Sequence, residues 1–124
     1  MFMKIFRGAV ALQTVALLVQ AVTAGLLLSS PDGRALHSAT ALVLLLTTVA
    51  QLVAAILVWR PGRGPARFAV SGAIQLVLVL TQMALGFAHV KSLHVPLGVA
   101  MFGFSMLLLG QVTPFGGRRQ AAAA

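Results

Sequence analysis

The stretch from His37 to Trp59, HSATALVLLLTTVAQLVAAILVW, carries no charged residue over its 23 positions. As an α-helix rising about 1.5 Å per residue it reaches about 34 Å, enough to cross roughly 30 Å of hydrocarbon. All its polar members but Ser38 are gathered on one side: at about 100° per residue, His37, Thr40, Thr47, Thr48 and Gln51 fall within an arc of about 100°. A helix in lipid keeps such residues for its neighbours and shows the bilayer its apolar face. The stretch therefore reads as a membrane span with a defined inward side.

Three further uncharged stretches have the same character: Gly8 to Leu28, Phe68 to Val90 and Leu93 to Val112. The segments between them hold Pro31, Asp32 and Gly33, then Pro61, Gly62, Gly64 and Pro65, residues that stop helices and form turns. The expected fold is all-α: a transmembrane four-helix bundle in one domain over residues 1–115, followed by a small, alanine-rich tail over 116–124. A composition of 60% hydrophobic residues and a mean hydropathy of +1.02 agree with lipid as the solvent. The apolar run after Lys4 and Arg7, ending near Ala21-Val22-Thr23-Ala24, also admits a cleaved signal peptide. Its continuation through Leu26, Leu27 and Leu28 favours a span.

Basic residues orient the bundle, because cytoplasmic flanks of membrane helices carry an excess of Lys and Arg. Lys4, Arg7, Arg60, Arg63, Arg67, Arg118 and Arg119 fall on one side, and only Arg34 and Lys91 on the other. Both chain ends are thus expected in the cytoplasm, with the bundle in the inner (plasma) membrane. The net charge of +8 is split between helix ends and not massed on one face, which argues against nucleic acid as a partner.

The chain has no Cys, no Glu, no Tyr and one carboxylate side chain, Asp32. Disulfides, thiolate zinc sites, paired-carboxylate catalysis and carboxylate-bridged di-metal sites cannot be built from one copy. An enzyme is disfavoured. Transport coupled to protons or ions is disfavoured too, since no span holds Asp, Glu, Lys or Arg.

Helical phase gives every span an inward face: Gln13, Gln20, Thr23 and Ala24 in the first; Ser71, Gln75, Gln82, Gly86 and His89 in the third; His94, Gly98, Met101 and Ser105 in the fourth. The glutamines, threonines and serines read as interhelical hydrogen bonding, and Gly25, Gly86 and Gly98 as points of close approach or as room for the edge of a cofactor. The two halves also repeat. Gln20, Gly25, Leu36 and His37 are matched by Gln82, Gly86, Leu93 and His94, so the bundle reads as two copies of one helical hairpin.

The repeat puts His37 and His94 at one depth, at the outer ends of the second and fourth spans. Two imidazoles so placed can ligate one haem iron from opposite faces, with Arg34 and Lys91 in reach of the propionates. His89 is a weaker alternative ligand or a partner of the pair. Equally, histidines at a membrane interface can serve only as hydrogen-bonding end residues.

Through Gln82-Met83-Ala84-Leu85-Gly86 and Leu93-His94-Val95-Pro96-Leu97-Gly98-Val99-Ala100 the chain resembles one four-helix half of a haem A synthase. That resemblance implies a b-type haem held by His37 and His94. Haem A synthases join two such bundles and carry an acidic residue beside a histidine; this chain has one bundle and no Glu, so oxidation of haem O is not implied. The chain is also similar to a group of small bacterial four-helix membrane proteins, a likeness that carries size and topology and no chemistry. The expected function is electron transfer or service as a redox-complex subunit, in contact with a larger membrane complex or with itself as a homo-oligomer. A cofactor-free accessory protein is the alternative.

Overall fold

The structure, a computed structural model, describes residues 1–113; the tail over 116–124 lies outside the described residues. Four helices follow one another: α1 (Phe2–Leu26), α2 (Gly33–Trp59), α3 (Arg67–Phe87) and α4 (Lys91–Val112). Each is long and apolar enough to cross a membrane, and no strand occurs among the described residues. Short connections make neighbours antiparallel. α1 packs on α2 and α4, and α3 packs on the same two, so α1 and α3 share one diagonal of the bundle while α2 and α4 share the other. Large apolar side chains such as Leu12, Val15, Val22, Leu46 and Leu107 stand more than half exposed around the outside. In water they would form an aggregating surface; against acyl chains they are solvated.

The helix ends differ from the expected spans for local reasons. α1 starts at Phe2 and not near Gly8 because its first two turns are amphipathic: Phe6 and Val10 are fully buried while Lys4 and Arg7 are exposed. Their long stems can lie along the helix with the charge held at the surface. α2 takes in Gly33 to Leu36, so Arg34 lies in its first turn. α3 stops at Phe87, three residues before the expected end. There the His89 amide donates to the Gly86 carbonyl at 3.2 Å and the Val90 amide to the Leu85 carbonyl at 3.0 Å. This is a Schellman ending, and its left-handed position, usually glycine, is His89 with φ of 60°. Histidine is among the few side chains that tolerate that conformation.

The interior is layered. At the end carrying Arg60, Arg63 and Arg67, the basic end, Phe6, Val10, Ala55, Val58, Phe68, Leu108 and Val112 form an apolar storey, in which the Phe6 and Phe68 rings lie 5.0 Å apart. Above it is a polar storey of Gln13, Thr14, Thr47, Thr48, Gln51, Gln75 and Ser105, all buried. A second apolar storey follows, made by Ala16, Leu17, Leu44, Val79 and Met101. The outermost storey is polar again and contains Gln20, Thr23, His37, Thr40, Gln82 and His94. All four helices contribute to every storey, as the inward stripes require. At the α2–α3 seam the Cβ of an alanine at position 72 would stand 3.1 Å from the Leu52 Cα, so the seam closes because residue 72 is glycine.

Candidate functional site

His37 and His94 meet across the α2–α4 diagonal, their ring centres 6.2 Å apart and their planes inclined at 65°. Both are partly buried. Each is held by a glutamine from the preceding helix of its own hairpin. The Gln20 amide nitrogen donates to the His37 carbonyl at 3.3 Å, and the Gln82 amide nitrogen to the His94 carbonyl at 2.9 Å. The two hairpins thus repeat in hydrogen bonding as well as in sequence.

These partners set the protonation of both rings. Because the Gln20 nitrogen must face the His37 carbonyl, which only accepts, it can also only donate to His37 Nε2, 3.3 Å away. His37 Nδ1 then carries the proton and donates to Thr23 Oγ1 at 3.2 Å. Thr40 closes this network by donating to Gln20 Oε1 at 2.6 Å and lying 3.0 Å from Thr23 Oγ1. In the second hairpin His94 Nδ1 lies 3.0 Å from the Gln82 carbonyl, again an acceptor only. In the neutral form of each ring the lone pair is therefore on Nε2, with the proton anchored on Nδ1. A backbone carbonyl or hydroxyl behind Nδ1 is the arrangement that orients an imidazole for ligation through Nε2.

The other residues singled out in the sequence divide. Gly86 provides room for the His94 ring: a Cβ there would come 3.3 Å from His94 Cε1. Gly98 provides room for the Gln82 amide, which a Cβ would approach to 2.9 Å. Gly25 faces open space and is not a point of close approach; at the 62-residue offset that pairs Gln20 with Gln82, Gly86 is matched by Ala24. Arg34 and Lys91 are exposed in the first turns of α2 and α4, at the histidine end. His89, expected on the inward stripe of the third span, is instead exposed in the α3–α4 turn, where its Nδ1 lies 2.8 Å from the Phe87 carbonyl. The left-handed turn takes it off the helical phase.

Sequence reasoning placed Gln20, Gln82, Thr23 and Thr40 on the inward faces and missed that the glutamines seat the histidines. It also missed a second pair of matched glutamines. Gln75 stands 62 residues after Gln13, as Gln82 stands after Gln20, and that equal offset was the available signal. Among the described residues no group of three or more His, Cys, Asp or Glu gathers as a metal site. No protein-family model, curated protein or solved structure matches this chain.

Proposed function

We propose that the histidine storey binds one b-type haem through His37 and His94, and that the protein serves electron transfer within a membrane, alone or as a subunit of a redox complex. The observation that carries this reading is the pair of imidazoles 6.2 Å apart, each with its Nδ1 at a hydrogen-bonding oxygen. That separation would leave room for one ion held by both His37 and His94, each nitrogen about 2 Å from it. A haem held by His37 and His94 would supply one-electron chemistry to the membrane interior. The chain's own residues do the rest. Gln82 and Gln20 fix the depth of the two histidines, Thr23 and the Gln82 carbonyl fix the tautomers, and Arg34 and Lys91 offer cations to carboxylates at the surface. The Gln20 amide, which touches His37 Nε2 in this structure, has to turn aside for ligation.

The excess of cations at the basic end supports a plasma-membrane orientation with that end in the cytoplasm. The absorption spectrum of the protein purified from haem-replete cells tests the reading. The expected result is a Soret band, with α and β bands on reduction, that His37→Ala and His94→Ala each abolish. A colourless preparation overturns it.

One observation favours a second reading, that of a cofactor-free accessory protein. The imidazoles already have protein partners: His37 meets Gln20 and Thr23, and His94 meets the Gln82 carbonyl. On that reading the double histidine-to-alanine variant assembles with a larger membrane partner as well as the wild type does.

A further inference from the structure

The inner polar storey is not closed by its own hydrogen bonds. Gln13 Oε1 meets the Thr47 and Thr48 hydroxyls at 2.8 and 3.0 Å, and Thr14 meets Ser105 at 2.7 Å. Gln51 and Gln75 are both fully buried, and both the nitrogen and the oxygen of each amide lack a protein partner. The second amide atom of Gln13 also lacks one. Turning that amide over exchanges which atom is free and does not remove the deficit. In hydrocarbon each such group costs several kcal/mol if nothing satisfies it.

Position and chemistry narrow what satisfies them. Gln51 and Gln75 stand on α2 and α3, which no side-chain hydrogen bond joins among the described residues. The contact of Gly72 with Leu52 sets the level of the two helices. Counting residues from it, the two glutamines differ in height by about 3 Å. The ligand must both donate and accept, because each of the two amides leaves both its N–H and its C=O group unpartnered. It must be neutral or nearly so, because the buried polar side chains are all Gln, Thr or Ser, with no carboxylate to balance a cation and no basic group to balance an anion. It must also be small, since Phe6, Val10 and Phe68 close the storey on one side and Leu17, Leu44, Val79 and Met101 on the other.

We propose that this storey is a hydration site sealed inside the membrane, in which water molecules bridge the amides of Gln51, Gln75 and Gln13. A water with two to four polar partners is stable in a protein interior. The proposal is independent of the haem reading, and a colourless protein would leave it standing.

The test is water-edited solid-state NMR on the full chain in bilayers, with glutamine side chains labelled with nitrogen-15. Strong polarisation transfer from water to the Gln51 and Gln75 side-chain amides is expected, with the signals assigned by their loss in Gln51→Leu and Gln75→Leu. Transfer no stronger than to the Val79 backbone amide overturns the proposal. Thermal unfolding in detergent gives a second reading. Each single variant should lower the melting temperature by about 5 °C, and the double variant by less than the sum, because the second change removes a group whose bridging water is already lost. A rise in melting temperature for either single variant means a dry, strained storey and overturns the proposal. Replacing sodium or chloride in the buffer by choline or gluconate should leave the melting temperature unchanged; a shift assigns the storey to an ion instead.

Discussion

The first hairpin holds its histidine ring with side chains, and the second holds its histidine ring with a backbone carbonyl. Around His37 stand Gln20, Thr23 and Thr40, whose polar atoms bond one another as well as the ring. Around His94 the positions matching Thr23 and Thr40 are Leu85 and Leu97, and the ring leans on the Gln82 carbonyl over the space left by Gly86. The inner storey shows the same contrast. Gln13 bonds Thr47 and Thr48 within its own hairpin. Its counterpart Gln75 has no such partner, because Ser105, the counterpart of Thr48, bonds Thr14 across the bundle instead. The two hairpins thus place their histidines alike while the groups that support them differ.

The largest expected effect breaks the comparison at its shared point. If the two rings do one job, His37→Ala and His94→Ala abolish the Soret absorbance equally despite their unequal surroundings; retention in either variant makes one half dispensable. Next come the supports. Gln20→Leu removes contacts to the Thr40 hydroxyl, the His37 ring and the His37 carbonyl, whereas Gln82→Leu removes one bond to the His94 carbonyl. Equilibrium unfolding in mixed micelles should show losses of about 2 and about 1 kcal/mol respectively. Equal losses would mean that the hydroxyl network around Gln20 adds nothing.

A hydroxyl deletion tests the same network more finely. Thr23→Val takes the acceptor from His37 Nδ1 and should cost about 1 kcal/mol in the same unfolding measurement, with Thr23→Ser restoring most of it. The smallest effect concerns two glycines near the histidine end. Gly86→Ala forces the His94 ring to give way by a few tenths of an ångström, whereas a Cβ on Gly25 meets nothing. Gly25→Ala should therefore stay within about 0.5 kcal/mol of the wild type, or gain from helix propensity, while Gly86→Ala costs about 1 kcal/mol. A reversed order would place the tight hairpin in the wrong half.

The four spans and their inward faces were legible in the sequence because lipid imposes two coarse rules, charge-free length and polar residues turned inward. Gln13, Gln51, Gln75, Gln82 and Ser105 all lie on the buried side that helical phase assigns them. The meeting of His37 with His94 was legible from the repeat. What was not legible depended on local endings and on choices between equivalent partners. His89 left the stripe because the chain closed α3 with a Schellman turn, which periodicity alone does not register. The start of α1 was obscured by Lys4 and Arg7, which read as flanks although both are helical. The pairing of Thr14 with Ser105 could not be foreseen, since Ser105 has an equally good partner type in Gln75 and only packing decides between them.

The alternation of polar and apolar storeys also shapes how a transmembrane voltage falls through the molecule. Field strength is greatest where matter polarises least, so a potential of about 100 mV, worth about 2.3 kcal/mol for a unit charge crossing it, is not spread evenly. Amides, hydroxyls and imidazoles reorient and flatten the potential within their own storeys. The drop concentrates in the apolar layer of Leu17, Leu44, Val79 and Met101 and in the one around Phe6 and Phe68. The bundle thus behaves as two thin capacitors in series, with the histidines on the outer plate and the buried glutamines on the plate the capacitors share.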